Sequence, residues 1–464
     1  MTDIQKEMLM LEKELSSCPI GYISTKKIYG RDRLYLQWRE KGKIRSRYIK
    51  EKETDEIRAL VEKRKQIQKR LKELKSTPEG KQSSNYKRTA KRNTKNLSGK
   101  LMLENRVVAT VKYGVITSKN DKLIPLYFKD NRYIEGWIAS RAIDGQRTNA
   151  RLLKKALRIH HTDDLSTSLA VNAATITDRY WFKPDGSEAV YEDIRFKENK
   201  FDKLALRGDP DAFSHRPSRT PELTNTGSFE KCWKLVDGEW WMYKSGNENE
   251  IFSELFICRL GEKLGMDMAH YELDGKYIRT KDFTNSGSVT FEPMKSIMGD
   301  NEDYKDCFDV LHEMSGHLAV QYINILWMDS ICYNMDRHTE NFGVIRDLKT
   351  GEILSLAPNY DNNIALISQG YPSDVSREGD GLIRIFRDFL RDSEQAREMC
   401  QRMTFPEITK ETIDECLNEI PIEVDRQFIT DFVLNGQEKI NEIIGMEYEE
   451  KEDVDEDFQM GLTM

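Results

Sequence analysis

The sequence predicts an α+β protein, and three of its features support that prediction. Segments in which apolar and polar residues alternate, typical of strands, lie between segments with apolar residues every three or four positions, typical of helices. The dipeptide Asp237-Gly238, a strong hairpin-turn signal, separates two apolar runs near the middle of the chain. Hydrophobic residues make up 38% of the 464 residues, enough for a substantial core in two or three domains.

The charge is distributed unevenly along the chain. The net charge is −7, yet residues 1–100 hold 28 Lys and Arg against 13 Asp and Glu, and the remaining residues hold 44 against 66. A basic front joined to an acidic body predicts two modules with different partners. The basic part, residues 1–98, is a candidate for binding DNA or RNA. A solvated helix followed by a flexible basic linker explains the same charge without any nucleic acid.

Cysteine usage and the apolar segments predict a cytoplasmic protein that does not enter a membrane. The seven cysteines form no C-x-x-C pair, which fits reduced thiols in a cytosol. The N-terminal stretch MTDIQKEMLMLEKELSS is charged and amphipathic, unlike a signal peptide. The longest apolar-rich stretch, residues 318–333, includes Gln321, Asn324 and Asp329, and it is too short and too polar to span a bilayer.

Residues 1–75 are predicted to form a small basic helix-hairpin-helix module. We expect a helix over 3–16, two or three antiparallel strands over 20–50 and a long helix over 53–75. The module resembles small basic domains with the pattern CP-x-GY…YLQWRE, a resemblance that implies no activity. Residues 76–98 contain almost no apolar side chains and are predicted to be a flexible linker.

The remainder of the chain is predicted to alternate strands and helices. Strands are expected over 99–114, 178–186, 341–347 and 353–358, and two more on either side of Asp237-Gly238 within 224–246. Helices are expected over 131–143, 149–159, 247–266, 303–333, 380–391, 394–403 and 423–445.

A lysine and a glutamate in the middle of the chain form the first candidate for chemistry. Lys244 ends an apolar strand, where a buried ammonium is costly unless it meets an anion. Glu254 lies among apolar neighbours on the following helix, and Glu250 competes with it for the same role. A helix Glu paired with a strand Lys holds that Lys on the phosphates of ATP in kinases. A surface lysine and a solvated glutamate are the alternatives.

The segment YNMDRHTENFGV, residues 333–344, supplies the second candidate. Asp336 and Asn341 are five positions apart, the interval of the Asp and Asn in the kinase motif H-R-D-x-x-x-x-N. A carboxylate there can face the attacking hydroxyl, and an amide oxygen on the same loop can ligate Mg²⁺. Asp361, in NYDNN at the end of a later strand, is a second Mg²⁺ ligand candidate. The order of all these residues is far more specific than any one of them.

Residues of about 99–445 resemble the HipA-like family of bacterial Ser/Thr protein kinases. The resemblance lies in LSLAPNYDNN, in SELFICRLGEKLGM and in the loop DRHTEN, whose pattern also occurs in phosphoinositide kinases. It implies a two-lobed, protein-kinase-like body after the basic module. The N-lobe and the HipA-like N-terminal region would occupy 99–285, the C-lobe 286–446 and an acidic tail 447–464.

The resemblance also implies roles for individual residues and a list of partners. Asp336 would be catalytic, with Lys244 and Glu254 beside it, and Asn341 and Asp361 would bind Mg²⁺. The family has a loop S-x-x-G-x-x-x-K whose Ser can be autophosphorylated, and Thr224 stands at that position here. The backbone N–H groups of this predicted phosphate loop, residues 224–231, would hold the γ-phosphate of ATP. Phosphorylation candidates are Thr224, Thr226 and Ser228, and the cofactor-binding candidates are Lys244, Thr226, Gly227, Ser228, His338, Asn341 and Asp361.

The sequence thus predicts an ATP- and Mg²⁺-dependent Ser/Thr protein kinase that autophosphorylates and acts as a toxin or regulator. Its partners would be an unknown protein substrate, an antitoxin-type inhibitor, and DNA or RNA through the basic module. One alternative is a kinase of small molecules or lipids. Another is a non-catalytic DNA-binding regulator whose kinase-like body senses nucleotide.

Overall fold

The computed structural model divides into two compact units, residues 1–94 and 95–464. The predicted helix over 3–16, apart from residue 11, and the acidic tail lie outside the described residues. The same is true of most of the predicted linker. The structure describes residues 11, 19, 22–28, 31–40, 43–49 and 53–76, and residues 97–446 except 146, 148, 158, 160–162, 209–218, 228 and 300.

The first unit is a three-stranded antiparallel sheet followed by one long helix, as its alternating and helical patterns predict. Its small core is formed where Leu36 of the central strand and Ile49 meet Ile57 and Val61, which lie one helical turn apart. The elements are β1 (Tyr22–Ile28), β2 (Arg31–Glu40), β3 (Lys43–Tyr48) and α1 (Thr54–Ser76), with strand order β1-β2-β3.

The second unit opens with a four-stranded sheet packed with short helices. Two of its strands were expected between 99 and 114, but the third was missed because its residues are polar and mostly exposed. The strands are β4 (Gly99–Leu103), β5 (Arg106–Lys112), β6 (Val115–Lys119) and β7 (Tyr180–Pro184), in the order β6-β5-β4-β7. The helices are α2 (Ile134–Ser140), α3 (Ala150–Ala156), α4 (Asp164–Leu169), α5 (Tyr191–Ile194) and α6 (Asp202–Arg207).

A second four-stranded sheet carries the first part of the site. Its strands are β8 (Lys231–Val236), β9 (Glu239–Lys244), β10 (Tyr271–Asp274) and β11 (Tyr277–Lys281), in the order β10-β11-β9-β8. The turn between β8 and β9 has Asp237 and Gly238 at φ of 51° and 84°, which a two-residue type I′ hairpin requires. Helix α7 (Glu248–Lys263) follows at once and packs against the edge strand β10.

The C-terminal part is mostly helical and holds the largest hydrophobic core, to which α7 also contributes. A three-stranded sheet of order β12-β13-β14 lies within it: β12 (Val289–Pro293), β13 (Gly343–Asp347) and β14 (Ile353–Leu356). The helices are α8 (Lys295–Met298), α9 (Tyr304–Met314), α10 (Gly316–Cys332), α11 (Gly381–Asp392), α12 (Glu394–Arg402), α13 (Lys410–Asn418) and α14 (Arg426–Ile444).

The prediction of one continuous helix over 303–333 is wrong. The chain forms α9 and α10 instead, separated at Ser315, whose backbone is extended. The side chain of Ser315 accepts a hydrogen bond from the backbone N–H of His317 and caps α10. The Ser-Gly dipeptide at this position was the available sequence signal for the break.

In the part of the chain that the structure describes, no helix has both the length and the apolar composition needed to cross a membrane.

Candidate active site

Lys244 lies at the centre of a buried group of charged side chains. It is the last residue of β9 and is only 8% exposed. Its Nζ donates to Oδ1 of Asp361 at 2.6 Å and lies 3.5 Å from Oε2 of Glu254. A third neighbour is the hydroxyl of Tyr271 on β10, 3.4 Å away. The structure therefore brings together three of the residues that the sequence singled out, although they are far apart in the chain.

The N-terminal cap of α7 decides between the two candidate glutamates. Asn247 and Glu250 form a capping box, in which each side chain accepts a hydrogen bond from the backbone N–H of the other. Glu254, one turn further along, is fully buried and faces Lys244. Its Oε1 accepts from the backbone N–H of Asn362 at 2.8 Å, while Oε2 has no hydrogen-bond partner among the described residues. Glu250 is thus a helix cap, and Glu254 is the partner of Lys244.

The charges in this group stabilise one another. Burial opposes the charge on Lys244, but Asp361, Tyr271 and Glu254 outweigh it and raise the pKa of Lys244 well above its ordinary value. Burial also opposes ionisation of Asp361, yet the two cations Lys244 and Lys231 lower the pKa of Asp361 to about 2. Asp361 and Lys244 are therefore both charged at neutral pH.

Lys231 is a second cation at this site to which the sequence analysis gave no role. It opens β8, next to the predicted phosphate loop, and its pKa is lowered to about 8 by burial and by Lys244, against the attraction of Asp361. Gly227 leaves room for it: a Cβ on Gly227, at φ 95°, would lie 2.3 Å from Nζ of Lys231. The lysine of the S-x-x-G-x-x-x-K pattern was the available sequence signal.

The segment after α10 places Asp336 and Asn341 side by side. Tyr333 ends the helix in a left-handed conformation, and Oδ1 of Asn334 then accepts from the backbone N–H of Asp336 at 3.2 Å. Nδ2 of Asn341 donates to the backbone oxygen of Asp336 at 2.8 Å. Because its amide nitrogen is committed in this way, Asn341 presents its side-chain oxygen to a ligand.

Arg337 ties this loop to the segment that carries Asp361. Its guanidinium is 1% exposed and forms a bidentate pair with Asp329 of α10, at 2.7 Å from Nε and 2.9 Å from Nη2. The sequence analysis named neither the pair nor its role. The remaining acceptors of Arg337 are the backbone oxygens of Asn341 and Tyr360 and the side-chain oxygens of Asn359 and Asn362.

Asp336 is partly exposed, and its environment raises the pKa of its carboxyl group, which suits a general base. Burial raises the pKa of Asp336, and the charges of Asp361 and Glu302 raise it further, against His338 and Arg337. Nε2 of His338 lies 3.8 Å from Oδ2 of Asp336. Because the charge of Asp361 affects the pKa of Asp336, the group around Lys244 and the loop of Asp336 and Asn341 are electrostatically connected.

The residues of the predicted phosphate loop differ in accessibility. Thr224 ends a 3₁₀ helix (Pro221–Thr224) and is buried, with its hydroxyl donating to the backbone oxygen of Ala174 at 2.7 Å. Thr226 is exposed, and Ser228 lies outside the described residues. The Thr224 hydroxyl can therefore accept a phosphoryl group only if this segment moves.

Comparison with known proteins gives two family matches in this chain. Residues 223–423 match the HipA-like C-terminal domain, and residues 1–59 match a domain of unknown function, DUF6788. No curated protein matches the chain. The segment that matches the HipA-like C-terminal domain lies in the C-terminal unit, spans β8 to α13 and includes every residue of the site. The CP-x-GY type expected for the N-terminal module stays a prediction.

Two solved structures are similar to parts of the chain. The Helicobacter pylori proinflammatory kinase CtkA shares 19% identity over 46% of this chain and 92% of its own, with a TM-score of 0.38. The Shewanella oneidensis MR-1 toxin–antitoxin complex of HipA, HipB and operator DNA shares 12% identity over 75% of this chain and 100% of the matched chain, with a TM-score of 0.47. Neither likeness is close enough to carry an activity over.

The predicted α+β class is confirmed: the second unit combines helices with sheets, and the first is a small module of sheet and helix.

Proposed function

We propose that this protein is an ATP- and Mg²⁺-dependent kinase that phosphorylates Ser or Thr in proteins. The observation that carries the proposal is the pairing of Lys244 with Asp361 and Glu254, connected through Arg337 to the loop of Asp336 and Asn341. Phosphoryl transfer depends mainly on positioning and charge neutralisation, and this group of residues supplies both.

The side chains present fit Mg²⁺ and the phosphates of ATP. The low pKa of Asp361 keeps its carboxylate ionised, and the committed amide nitrogen of Asn341 leaves its oxygen as a ligand. Mg²⁺ prefers a few such oxygens together with phosphate oxygens, and it would neutralise charge on the phosphates. Lys244 and Lys231 are the cations for the phosphate groups, and Glu254 holds Lys244 in place.

Asp336 would orient the substrate hydroxyl and accept its proton as the oxygen attacks the γ-phosphorus. The proton moves from the substrate oxygen to a carboxylate oxygen of Asp336, and ADP leaves. The raised pKa of Asp336 suits it to this role, since a base works best when its pKa approaches the working pH. Arg337 touches neither reactant in this scheme, and it positions Asp336 relative to Asp361.

We also propose two further kinds of partner, a nucleic acid and an inhibitory protein. The excess of Lys and Arg in residues 1–100 supports DNA or RNA as a ligand of the basic module. We propose an antitoxin-type inhibitor as a further partner, of the kind named in the solved complex of HipA, HipB and operator DNA.

The experiment that tests the proposed function follows labelled γ-phosphate from ATP. The full chain is incubated with Mg²⁺, ATP and a mixed preparation of dephosphorylated proteins, lipids and metabolites, and each fraction is then counted. We expect label on phosphoserine or phosphothreonine, and none with a chelator in place of Mg²⁺. Label in the lipid or metabolite fraction would replace the proposal by a small-molecule or lipid kinase. ATP binding without transfer in any fraction would indicate a nucleotide sensor.

The pH dependence of transfer offers a further prediction. Because Asp336 must be deprotonated to act as a base, kcat/KM is expected to fall as the pH drops through its raised pKa, above the ordinary value of about 3.9. Since the charge of Glu302 contributes to that rise, Glu302→Gln should move the acid limb of the profile to lower pH. Glu313→Gln, on the exposed side of α9, is the matched control. An acid limb that stays in place in Glu302→Gln would contradict the role of Asp336.

A further inference from the structure

A cleft of about 520 Å³ opens directly beside Asp336. One wall is the start of α9 with the residues before it, and the opposite wall is α11. The base is the loop from Met335 to His338, so the candidate base itself lines the cleft. Whatever occupies this space lies next to the atom that would accept the proton from the phosphorylated hydroxyl.

Part of the cleft's lining is apolar. The rings of Tyr304 and Phe389 meet edge to face, with centroids 6.4 Å apart. Met335 and Ile385 also line the cleft and are 44% and 46% exposed, so two large apolar side chains are accessible in one cleft. An apolar side chain of a bound segment would cover them.

The rim of the cleft is acidic. Glu302 and Asp303 lie on the α9 side, and Asp388 and Asp392 on the α11 side. No lysine or arginine among the described residues pairs with Glu302, whose charge helps to raise the pKa of Asp336. Asp388 pairs with Arg387 and Arg391, and Asp392 pairs with Arg391. Both arginines are exposed and lie outside the lining, and exposed pairs of this kind are weak.

Three basic residues line the cleft, His338 beside Asp336 and the two cations Lys305 and Arg337, and these two cations do not offset the acidic charge. Lys305 pairs with Asp309, and Arg337 is held by Asp329. Asp309 and Asp329 lie outside the lining, and each neutralises the charge of its cation. The potential inside the cleft is therefore negative, and it would repel a lipid headgroup, a nucleic acid or an acidic peptide.

We propose that this cleft binds the protein substrate and selects a Ser or Thr flanked by Lys or Arg, with an apolar side chain seated on Met335 and Ile385. The inference rests on the proposed function, since it names the substrate class of the same site. Five carboxylates around one cleft, including Asp336, would attract the basic flanks and set the register of the hydroxyl.

The sequence of this chain offers a suitable probe. Residues 84–97, SNYKRTAKRNTKNL, contain Thr89 and Thr94 among five Lys and Arg, with Tyr86 and Leu97 as apolar residues. A synthetic peptide of this sequence is compared with a peptide in which all five basic residues are Gln. The two peptides keep the same hydroxyl and apolar groups and differ only in charge.

Binding of each labelled peptide to the full chain is measured by fluorescence anisotropy, with a non-hydrolysable ATP analogue and Mg²⁺ present. We expect the basic peptide to bind about tenfold more tightly than the Gln peptide at low salt, with the difference shrinking at high salt. The double variant Asp388→Lys/Asp392→Lys should lose most of this preference. The control Glu398→Lys/Glu438→Lys reverses two exposed charges on α12 and α14, outside the cleft, and should keep it.

Equal binding of the two peptides, no binding of either, or an equal loss in the control variant would overturn the inference. Transfer of phosphate to the peptides is recorded separately. If the protein binds the basic peptide selectively but phosphorylates neither peptide, the proposed cleft preference stands and the proposed kinase function fails. If the protein phosphorylates both peptides and binds them with equal affinity, the proposed kinase function stands and the proposed preference for basic flanks fails.

Discussion

Replacing Asp336 with Asn is expected to lower phosphoryl transfer on the order of 10³-fold while ATP still binds. The amide has nearly the shape of the carboxylate, but it cannot accept the proton from the attacking hydroxyl. Lys244, Glu254 and Asp361 are untouched, so the part of the site proposed for the nucleotide keeps its charges. Transfer is measured as labelled phosphate incorporated per minute, and ATP binding as the shift in melting temperature on adding ATP and Mg²⁺.

Asp414→Asn is the matched control for this variant. Asp414 is an exposed aspartate of α13 that pairs with Arg426, so its replacement removes a carboxylate without touching the site. It should transfer phosphate at the rate of the unaltered protein. Retention of more than about a tenth of the rate in Asp336→Asn would mean that another group takes the proton.

Arg337→Ala is expected to destabilise the C-terminal unit by about 3–5 kcal/mol. The change leaves the carboxylate of Asp329 buried without its bidentate partner, and it removes the donor from four further oxygens of the loops at 341 and 359–362. A loss of this size corresponds to a fall in melting temperature of about 10 °C, which near-ultraviolet circular dichroism can follow.

Arg426→Ala is the control, because Arg426 is 46% exposed and its partner Asp414 is also at the surface. Its cost should stay within about 1 kcal/mol. The double variant Asp329→Asn/Arg337→Met should be more stable than Arg337→Ala, since it leaves no unpaired charge in the core. Equal melting temperatures for Arg337→Ala and Arg426→Ala would show that the buried pair does not hold the two loops together.

The elements that the sequence predicted well are those with strong local patterns. The turn at Asp237-Gly238 fixes the hairpin of β8 and β9 through its backbone conformation, and the stripe of α1 gives its length. Strand β12 was missed because it gains its hydrogen bonds from β13, about fifty residues later, which no local pattern reveals. The break at Ser315 was missed because apolar residues continue on both sides of it.

The site shows the same division between local and long-range information. Asp336 and Asn341 could be predicted from their spacing of five positions, because both lie on one short loop whose pattern is visible in the sequence. The pairing of Arg337 with Asp329 was not predicted, since it depends on how the loop turns back over the end of α10. Lys231 and Tyr271 reach the charged group only through the pairing of strands in the second sheet.

The measurement that tests the central claim most directly is the intact mass of the protein after incubation with ATP and Mg²⁺, alongside Asp361→Asn. We expect a gain of about 80 Da per phosphorylated site in the unaltered protein and none in the variant, because Asp361 accepts a hydrogen bond from Lys244 and is the Mg²⁺ ligand in the proposed function. An equal gain in both proteins would contradict it, since phosphate would then be transferred without this carboxylate.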